Sequence, residues 1–343
     1  MRDSNRPTAL IVGVEGLHLS EDERQFFRDT DPMGFILFKR NCESPKQVMT
    51  LVDECRKAVD RNDAPILIDQ EGGRVQRLCP PHWRDVPPAR RFVDLYEDHS
   101  GRGLEALYLN ALLMARDLTK LGITINCAPV LDIPHSDTHN IIGDRALGAA
   151  PTVVSKLARA VCCGLLAGGV LPVIKHLPGH GRARTDSHIE LPRVDATLDE
   201  LEDCDFLPFK ELSDMPWAMT AHVQYSALDE CRPATTSPKI IQEVIREKFG
   251  FDGVLVSDDI GMGALSGNFG DRVRASLEAG CDIALHCSGN LQEMIAVTKG
   301  ATVTSETSMK RLRRGEILRQ ETARDEVVKE VADLQEMVHP EEG

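Results

Sequence analysis

The segment IKHLPGHGRARTDSH, residues 174–188, holds the densest group of side chains that can do chemistry. Its fifteen residues include three histidines, one lysine, two arginines and one aspartate. They come at the end of an apolar run that is typical of a buried strand. Imidazole, carboxylate and ammonium groups at this density can transfer protons, bind a metal ion or hold a polar ligand.

A metal site is the first interpretation of this segment. His176 and His180 stand four residues apart, as zinc ligands on a helix do, and further candidate ligands follow them. That spacing requires a helix, however, and Pro178, Gly179 and Gly181 strongly disfavour one. We therefore expect no metal and no cofactor here.

The alternative is a dyad of Asp186 and His188. In an extended loop, residues two apart can place a carboxylate against an imidazole, which orients the ring and raises its basicity. Such a pair could shuttle a proton near neutral pH. The competing interpretation is structural, because the same two side chains could only tie the loop down through hydrogen bonds.

Three further segments place charged side chains after apolar runs. Asp69 and Arg77 lie in the first, Arg145 in the second, and Asp258 and Asp259 directly follow the third run. An arginine commonly pairs with a surface acid, so each residue alone has a structural explanation. The segments are ILIDQEGGRVQRL (66–78), APVLDI with IIGDRALG (128–133 and 141–148), and VLVSDDIGM (254–262).

The elements that position these groups are short apolar runs alternating with segments of helical spacing. This alternation is typical of parallel strands buried on both faces. Eight runs predict a (β/α)8 barrel over residues 8–300, although an open doubly wound sheet would give the same periodicity. The runs are Ala9 to Val14, Gly34 to Phe38, Pro65 to Asp69, Ile123 to Leu131, Leu171 to His176, Trp217 to Val223, Gly253 to Asp258 and Asp282 to Cys287.

Helices are predicted between the strands and after them. No linker divides the chain, so residues 1–343 are expected to form one domain, with a charged helical extension over about 303–338. The helix candidates are Pro45 to Val59, Leu104 to Leu121, Val153 to Leu166, Pro238 to Lys248 and Arg272 to Ala279.

The ends of the predicted strands carry most of the candidate groups. Polar residues follow at least five of the eight runs, including Asp132, Lys175 and His176, and His222. Barrel enzymes carry their active sites on this C-terminal rim. One charged residue after a strand means little, but the repetition predicts a single site there.

Composition limits the classes of partner. The chain has 54 acidic and 40 basic residues, a net charge of -14, which argues against nucleic acid as the main ligand. The apolar run near the N-terminus is too short for a signal core or a membrane span. The ten cysteines are scattered, with no CxxC pair. We expect a soluble cytoplasmic protein with reduced cysteines, either monomeric or weakly oligomeric.

Taken in order, these segments resemble glycoside hydrolase family 3, in particular the compact bacterial β-N-acetylglucosaminidases that act on peptidoglycan fragments. The resemblance extends from about Gly13 to about Asn290 and includes GFILFKRN (34–41) and MTAHV (219–223). The DQEGGRVQRL and KH-x-PGHG-x4-DSH patterns are its longest and most specific parts.

The resemblance implies a role for each matching position. The nucleophile falls on Asp258, and the mobile-loop dyad falls on Asp186 and His188, with His188 as general acid and then base. Asp259 is only the neighbour of the nucleophile. Contacts to sugar hydroxyl and acetamido groups fall on Asp69, Arg77, Arg145, Lys175 and His176.

The resemblance implies an enzyme that removes terminal N-acetylglucosamine from muropeptides with retention of the anomeric configuration. A histidine in place of the usual second carboxyl group already titrates near neutral pH, so less tuning is required. A β-glucosidase or phosphorolytic enzyme of the same family is the alternative. A phosphate-binding or metal-dependent barrel enzyme and a non-catalytic carbohydrate-binding barrel are less favoured.

Overall fold

The computed structural model describes residues 6–135 and 142–323. Eight parallel strands form a closed barrel in which each strand pairs with its neighbours in sequence, so the predicted (β/α)8 architecture is confirmed and the open sheet is wrong. The strands are β1 (Thr8–Gly13), β2 (Pro32–Leu37), β3 (Ile66–Ile68), β4 (Ile125–Asn126), β5 (Leu171–Leu177), β6 (Trp217–Thr220), β7 (Val254–Asp259) and β8 (Ile283–His286).

The barrel closes between β1 and β8, where Leu10, Ile11 and Val12 lie opposite Ala284, Leu285 and His286. Alternate side chains point to opposite faces of a strand. Ile11 accordingly packs inside the barrel, whereas Leu10 and Val12 pack outward against the helices. This two-sided burial explains why the strands appear in the sequence as continuous apolar runs.

One predicted strand is much shorter than expected. The run from Ile123 to Leu131 forms a strand only at Ile125–Asn126, and Val130 returns to the sheet as an isolated bridge to Lys175. Pro129 interrupts the ladder because it has no N–H to donate. The interruption leaves Asp132 at the rim.

Helices surround the barrel, and the five predicted positions are all helical. Ile240–Lys248 differs from the expectation in having the wider hydrogen-bond spacing of a π-helix. The helices are Glu21–Thr30, Pro45–Ala58, Ala89–Asp98, Ser100–Lys120, Pro151–Ala167, Leu198–Glu200, Leu207–Glu211, Phe269–Ala279, Leu291–Thr298 and Glu306–Thr322, with a π-helical turn at Leu201–Asp205.

The C-terminal helix Glu306–Thr322 begins the predicted extension and closes the bottom of the barrel. Its Met309 and Leu312 pack against the barrel interior, and Arg311 forms an ion pair of 3.0 Å with Asp282. The rest of that extension, residues 324–338, lies outside the described residues. No helix in the described part of the chain is long and apolar enough to cross a membrane.

A small second sheet, which the sequence did not predict, supports the loop after β5. It consists of Arg193–Val194, Gln224–Tyr225 and Asp229–Pro233. Tyr225 is fully buried, and its hydroxyl donates a hydrogen bond of 2.7 Å to the carbonyl oxygen of Gly179. The sheet therefore anchors the loop that carries the histidine-rich segment.

Candidate active site

A cavity of about 290 Å³ opens at the C-terminal rim of the barrel. Among the predicted site residues, Asp186 alone does not line it; Asp186 stands behind His188 and is bonded to it. Residues of β2, β3, β5, β6, β7 and β8, or of the loops that follow β2 to β8, converge there. The charged and imidazole side chains in the lining are Asp69, Glu71, Arg77, Arg145, Lys175, His176, His180, His188, Asp258 and Asp259.

One wall of the cavity is a network of ion pairs in which Lys175 is buried and its partners are half-buried. The Nζ atom of Lys175 lies 3.2 Å from Oδ1 of Asp69 and 2.7 Å from Oε1 of Glu71. Arg77 pairs with Asp69 at 3.0 Å, and Arg145 holds both oxygens of Glu71 at 2.8 Å. A bidentate arginine fixes a carboxylate in both position and rotation.

The electrostatics of this network favour the charged forms of Glu71 and Lys175. Burial by itself raises the pKa of Glu71, but Lys175 and Arg145 outweigh it and hold that pKa far below the ordinary value. Burial likewise opposes the charge of Lys175, and the two carboxylates raise the pKa of this lysine instead. The wall is therefore a rigid set of charged donors and acceptors that can bind several hydroxyl groups.

Glu71 is the site residue that sequence reasoning missed. The sequence analysis assigns it no role, because adjacency in DQEGG cannot show which arginine it meets. Arg145 lies 74 positions away along the chain. The Gly72-Gly73 turn was the available signal, since both glycines have positive φ and bend the chain so that Glu71 faces the cavity.

Asp258 and Asp259 have different environments despite being adjacent at the end of β7. Asp258 lines the cavity, and its Oδ1 accepts a hydrogen bond of 2.8 Å from the N–H of Asp259. Burial raises the pKa of Asp258, but the charges of His176, His222 and Lys175 together hold it below the usual value. An ionised carboxylate is thus maintained at the bottom of the cavity.

Asp259 has a structural task. Its Oδ1 accepts backbone hydrogen bonds from Gly261 at 2.9 Å and from Cys287 at 3.1 Å, linking the β7 and β8 loops. Its carbonyl oxygen lies 2.9 Å from Nε2 of the buried His222. These contacts orient the end of β7 and therefore position Asp258.

His176 and His180 are held by Asp132, at the base of the loop. The Nδ1 atom of His176 lies 2.6 Å from Oδ2 of Asp132, whose Oδ1 accepts the backbone N–H of His180 at 2.7 Å. Because an ionised carboxylate only accepts, His176 carries its proton on Nδ1 in this contact. Nε2 of His180 is 3.1 Å from the hydroxyl of Ser187, so the loop is braced internally.

The predicted dyad is present in the same loop. Nδ1 of His188 lies 2.8 Å from Oδ1 of Asp186, which also accepts the backbone N–H of His188 at 2.8 Å. Nδ1 is therefore the donor, and Nε2 remains available for proton transfer. The His188 side chain is 68% exposed, whereas Asp186 is 24% exposed.

Glycines allow this loop to pack against its surroundings. A Cβ atom on Gly181 would lie 1.8 Å from the carbonyl oxygen of Ile133, and one on Gly263 would lie 2.6 Å from that of Ile189. The N–H of Gly263 donates to the carbonyl oxygen of His188 at 3.1 Å. The dyad thus sits where the β5 loop touches the β7 loop.

Comparison with known proteins agrees with this architecture. Residues 9–317 match the family described as glycosyl hydrolase family 3 N terminal domain. The chain belongs to glycoside hydrolase family 3. It is 41% identical to a protein named beta-hexosaminidase from Methylococcus capsulatus, over 81% of this chain and 82% of that protein. A beta-hexosaminidase from Alkalilimnicola ehrlichii is 40% identical over 81% of this chain and 80% of its own length.

Solved structures of family 3 members have the same fold. NagZ from Neisseria gonorrhoeae in complex with N-trifluoroacetyl-D-glucosamine matches with a TM-score of 0.86 and 30% identity, over 97% of this chain and 98% of that one. A family 3 β-N-acetylglucosaminidase from Paenibacillus matches with a TM-score of 0.85 and 29% identity, over 96% of this chain and 66% of that chain. The resemblance predicted from DQEGGRVQRL and KH-x-PGHG-x4-DSH is confirmed.

Proposed function

We propose that this glycoside hydrolase of the β-N-acetylhexosaminidase type is a retaining exo-β-N-acetylglucosaminidase that acts on peptidoglycan-derived muropeptides. The observation that carries the proposal is the pairing, around one cavity, of an ionised, half-buried carboxylate with a loop histidine. Asp258 is the anion, and His188 offers its Nε2 atom. A retaining glycosidase requires one nucleophile and one proton donor.

In the first step Asp258 attacks the anomeric carbon. A bond forms between its carboxylate oxygen and that carbon, while the bond from carbon to the leaving oxygen breaks. The leaving oxygen takes a proton from Nε2 of His188, and Asp186 stabilises the orientation of the ring through the bond at Nδ1. The product is a glycosyl ester of Asp258 and a free aglycone.

In the second step a water molecule attacks the anomeric carbon of this ester. Nε2 of His188, now neutral, takes the proton from the water, and the carboxylate of Asp258 leaves. The configuration is retained because two displacements occur. The low pKa of Asp258 supports both steps, since the group must be ionised before attack and stable as an anion on departure.

The ion-pair network would hold the terminal sugar. Asp69, Lys175 and Arg145 combine acceptors and donors whose positions are fixed before substrate arrives, which lowers the cost of ordering them. A volume of about 290 Å³ is at the lower end for a ligand pocket and suits one terminal sugar residue. This size supports cleavage from the chain end.

A cytoplasmic role in cell-wall recycling fits the cysteines. All ten lie within the described ranges and are free, including the adjacent Cys162 and Cys163. Free thiols in this number are typical of a reducing compartment. Within it, the muropeptide would be a soluble degradation product.

The deciding experiment compares the aryl β-N-acetylglucosaminide with the matching aryl β-glucoside. We expect kcat/KM to favour the N-acetylated substrate by at least about tenfold, the minimum that one extra contact group provides. Equal turnover would favour a family 3 β-glucosidase. Release of sugar 1-phosphate in phosphate buffer would show phosphorolysis, and chitobiose cleaved much faster than a muropeptide would contradict the proposed natural substrate.

The covalent intermediate needs its own measurement. A slow fluorinated glycoside that accumulates the ester should add the mass of one sugar to the peptide that contains Asp258. Labelling of a peptide that lacks Asp258 would overturn the assignment of the nucleophile.

A further inference from the structure

A second group of chemically reactive side chains lies behind the β5 loop, outside the cavity. His135 follows β4, whereas Cys204 and Asp205 belong to the π-helical turn Leu201–Asp205. One ligand atom from each of the three lies within 4.8 Å of the others. Within residues 6–135 and 142–323, no other group of three or more His, Cys, Asp or Glu side chains brings its ligand atoms this close together.

The donor set fits zinc better than other common ions. Imidazole, thiolate and carboxylate are the three ligand types that zinc uses, whereas magnesium and calcium bind through oxygen alone. In a tetrahedral zinc site, ligand atoms lie about 3.3–3.8 Å apart, as the usual zinc–ligand bond lengths require. Side-chain rotations of roughly 1 Å would bring these atoms, now up to 4.8 Å apart, into place.

Asp205 supplies a second observation that points to a ligand. Asp205 is 2% exposed, and its Oδ1 atom accepts no hydrogen bond from any of the described residues. That oxygen faces His135, with 3.4 Å between it and Nε2. A buried carboxylate oxygen whose nearest partner is this long contact is poorly satisfied, and a cation bound there would satisfy it.

We propose that His135, Cys204 and Asp205 form a zinc site with water as the fourth ligand. Zinc would displace the thiol proton of Cys204 to solvent, so binding releases one proton and involves no oxidation. The site lies apart from Asp258 and His188 and has no part in the proposed hydrolysis.

Arg182 is the internal competitor for this site. Its Nε donates to Oδ2 of Asp205 at 2.7 Å, and its side chain, which is 22% exposed, can turn toward solvent. A guanidinium beside the carboxylate repels a divalent cation. Zinc binding would therefore exchange Arg182 for the metal at Asp205, near the place where Asp205 packs against Gly179 of the loop.

The test is calorimetric titration of zinc chloride into the reduced, metal-free full chain. We expect one binding event in the unchanged protein, weakened at least about tenfold by Cys204→Ser and by His135→Gln. Arg182→Met should strengthen binding, because it removes the competing charge. Cobalt titration should add a thiolate-to-metal absorption band that Cys204→Ser abolishes.

Matched controls separate this site from other thiols and histidines. Cys231→Ser changes an exposed cysteine elsewhere and should leave the affinity unchanged. His188→Ala tests whether zinc instead binds the dyad. Unchanged affinity in Cys204→Ser and His135→Gln, or binding lost only in His188→Ala, would overturn the proposal. An affinity for zinc in Arg182→Met equal to that of the unchanged protein would show that Arg182 does not compete with zinc for Asp205.

Discussion

The two halves of the candidate site are built differently. Lys175 and Asp258 lie at strand ends, the first buried and the second half-buried, and charges or hydrogen bonds around them favour their ionised forms. Asp186 and His188 lie on a loop, and the imidazole is 68% exposed. The first half is held by several charged contacts, whereas the second presents its imidazole to solvent.

The difference matches the proposed division between sugar binding and proton transfer. Rigid, preorganised charges lower the barrier without reorganisation, so they belong on strands. A proton donor must approach the leaving oxygen and then admit water, which a loop allows. Variants of the rigid half should therefore affect all substrates, and variants of the loop should discriminate by leaving group.

The largest loss is expected for Asp258→Asn. Without the carboxylate no glycosyl ester forms, so kcat/KM on any substrate should fall by roughly 10⁴-fold or more, as for removal of other enzyme nucleophiles. The fold should persist, because the replacement has the same shape. Steady-state kinetics on the aryl glycoside, together with the circular dichroism spectrum, would measure both.

The matched control is Asp259→Asn, next in the chain. Its amide oxygen can still accept from Gly261 and Cys287, so turnover should stay within about tenfold of normal. The opposite ranking, with an inactive Asp259→Asn and an active Asp258→Asn, would reverse the assignment.

The next effect distinguishes the loop from the rigid half. His188→Ala should slow cleavage of a natural disaccharide by about 10²- to 10⁴-fold, the usual contribution of general acid catalysis. An activated aryl glycoside should still form the intermediate, because its leaving group needs no proton. A burst of released phenol followed by slow turnover is the expected signature.

Asp186→Ala should show the same pattern in milder form, since the imidazole remains but loses the bond at Nδ1. Equal losses for good and poor leaving groups would mean that His188 only braces the loop.

A smaller, uniform effect is expected for Glu71→Gln in the rigid half. Lys175 and Arg145 would lose the anion they share, so kcat/KM should fall by about 10- to 100-fold with any leaving group. The free energy of unfolding should fall by about 3 kcal/mol, because the buried Lys175 and the half-buried Arg145 both lose a partner. Asp53→Asn breaks the exposed pair with Lys57 and should cost at most about 1 kcal/mol. Similar denaturation midpoints for the two variants would contradict this comparison.

The smallest effect concerns pH and His180, which braces the β5 loop internally. Burial lowers the pKa of His180 to about 4, despite the opposing charge of Asp132. The unfolded chain therefore binds more protons below about pH 6.5, so stability is present above that pH and is lost as pH falls toward about 4.

Between about pH 7 and pH 5, His180 should account for about 2 kcal/mol of lost stability. His180→Gln, which can still bond to Ser187, should lose less over the same range. Urea unfolding at both pH values, followed by tryptophan fluorescence, gives the comparison. Identical pH dependence in the two proteins would exclude neutral burial of His180.

The sequence by itself determined the strands and where their polar ends lie. All eight apolar runs became barrel strands, because burial on both faces of a closed sheet requires continuous apolar residues. The sequence also indicated the pair Asp186 and His188, since residues two positions apart lie close together whatever the rest of the fold. Pro129 shortened one strand more than the pattern predicted.

Only the tertiary structure decided which charges meet. Glu71 pairs with Lys175, more than a hundred positions later, and with Arg145, 74 positions later. Asp205 likewise pairs with His135 and Arg182. The sequence could not assign these partners because an ion pair depends on spatial distance and burial, and any of several acids could have served each base. The separate environments of Asp258 and Asp259 have the same cause: adjacent residues on a strand end face different neighbours.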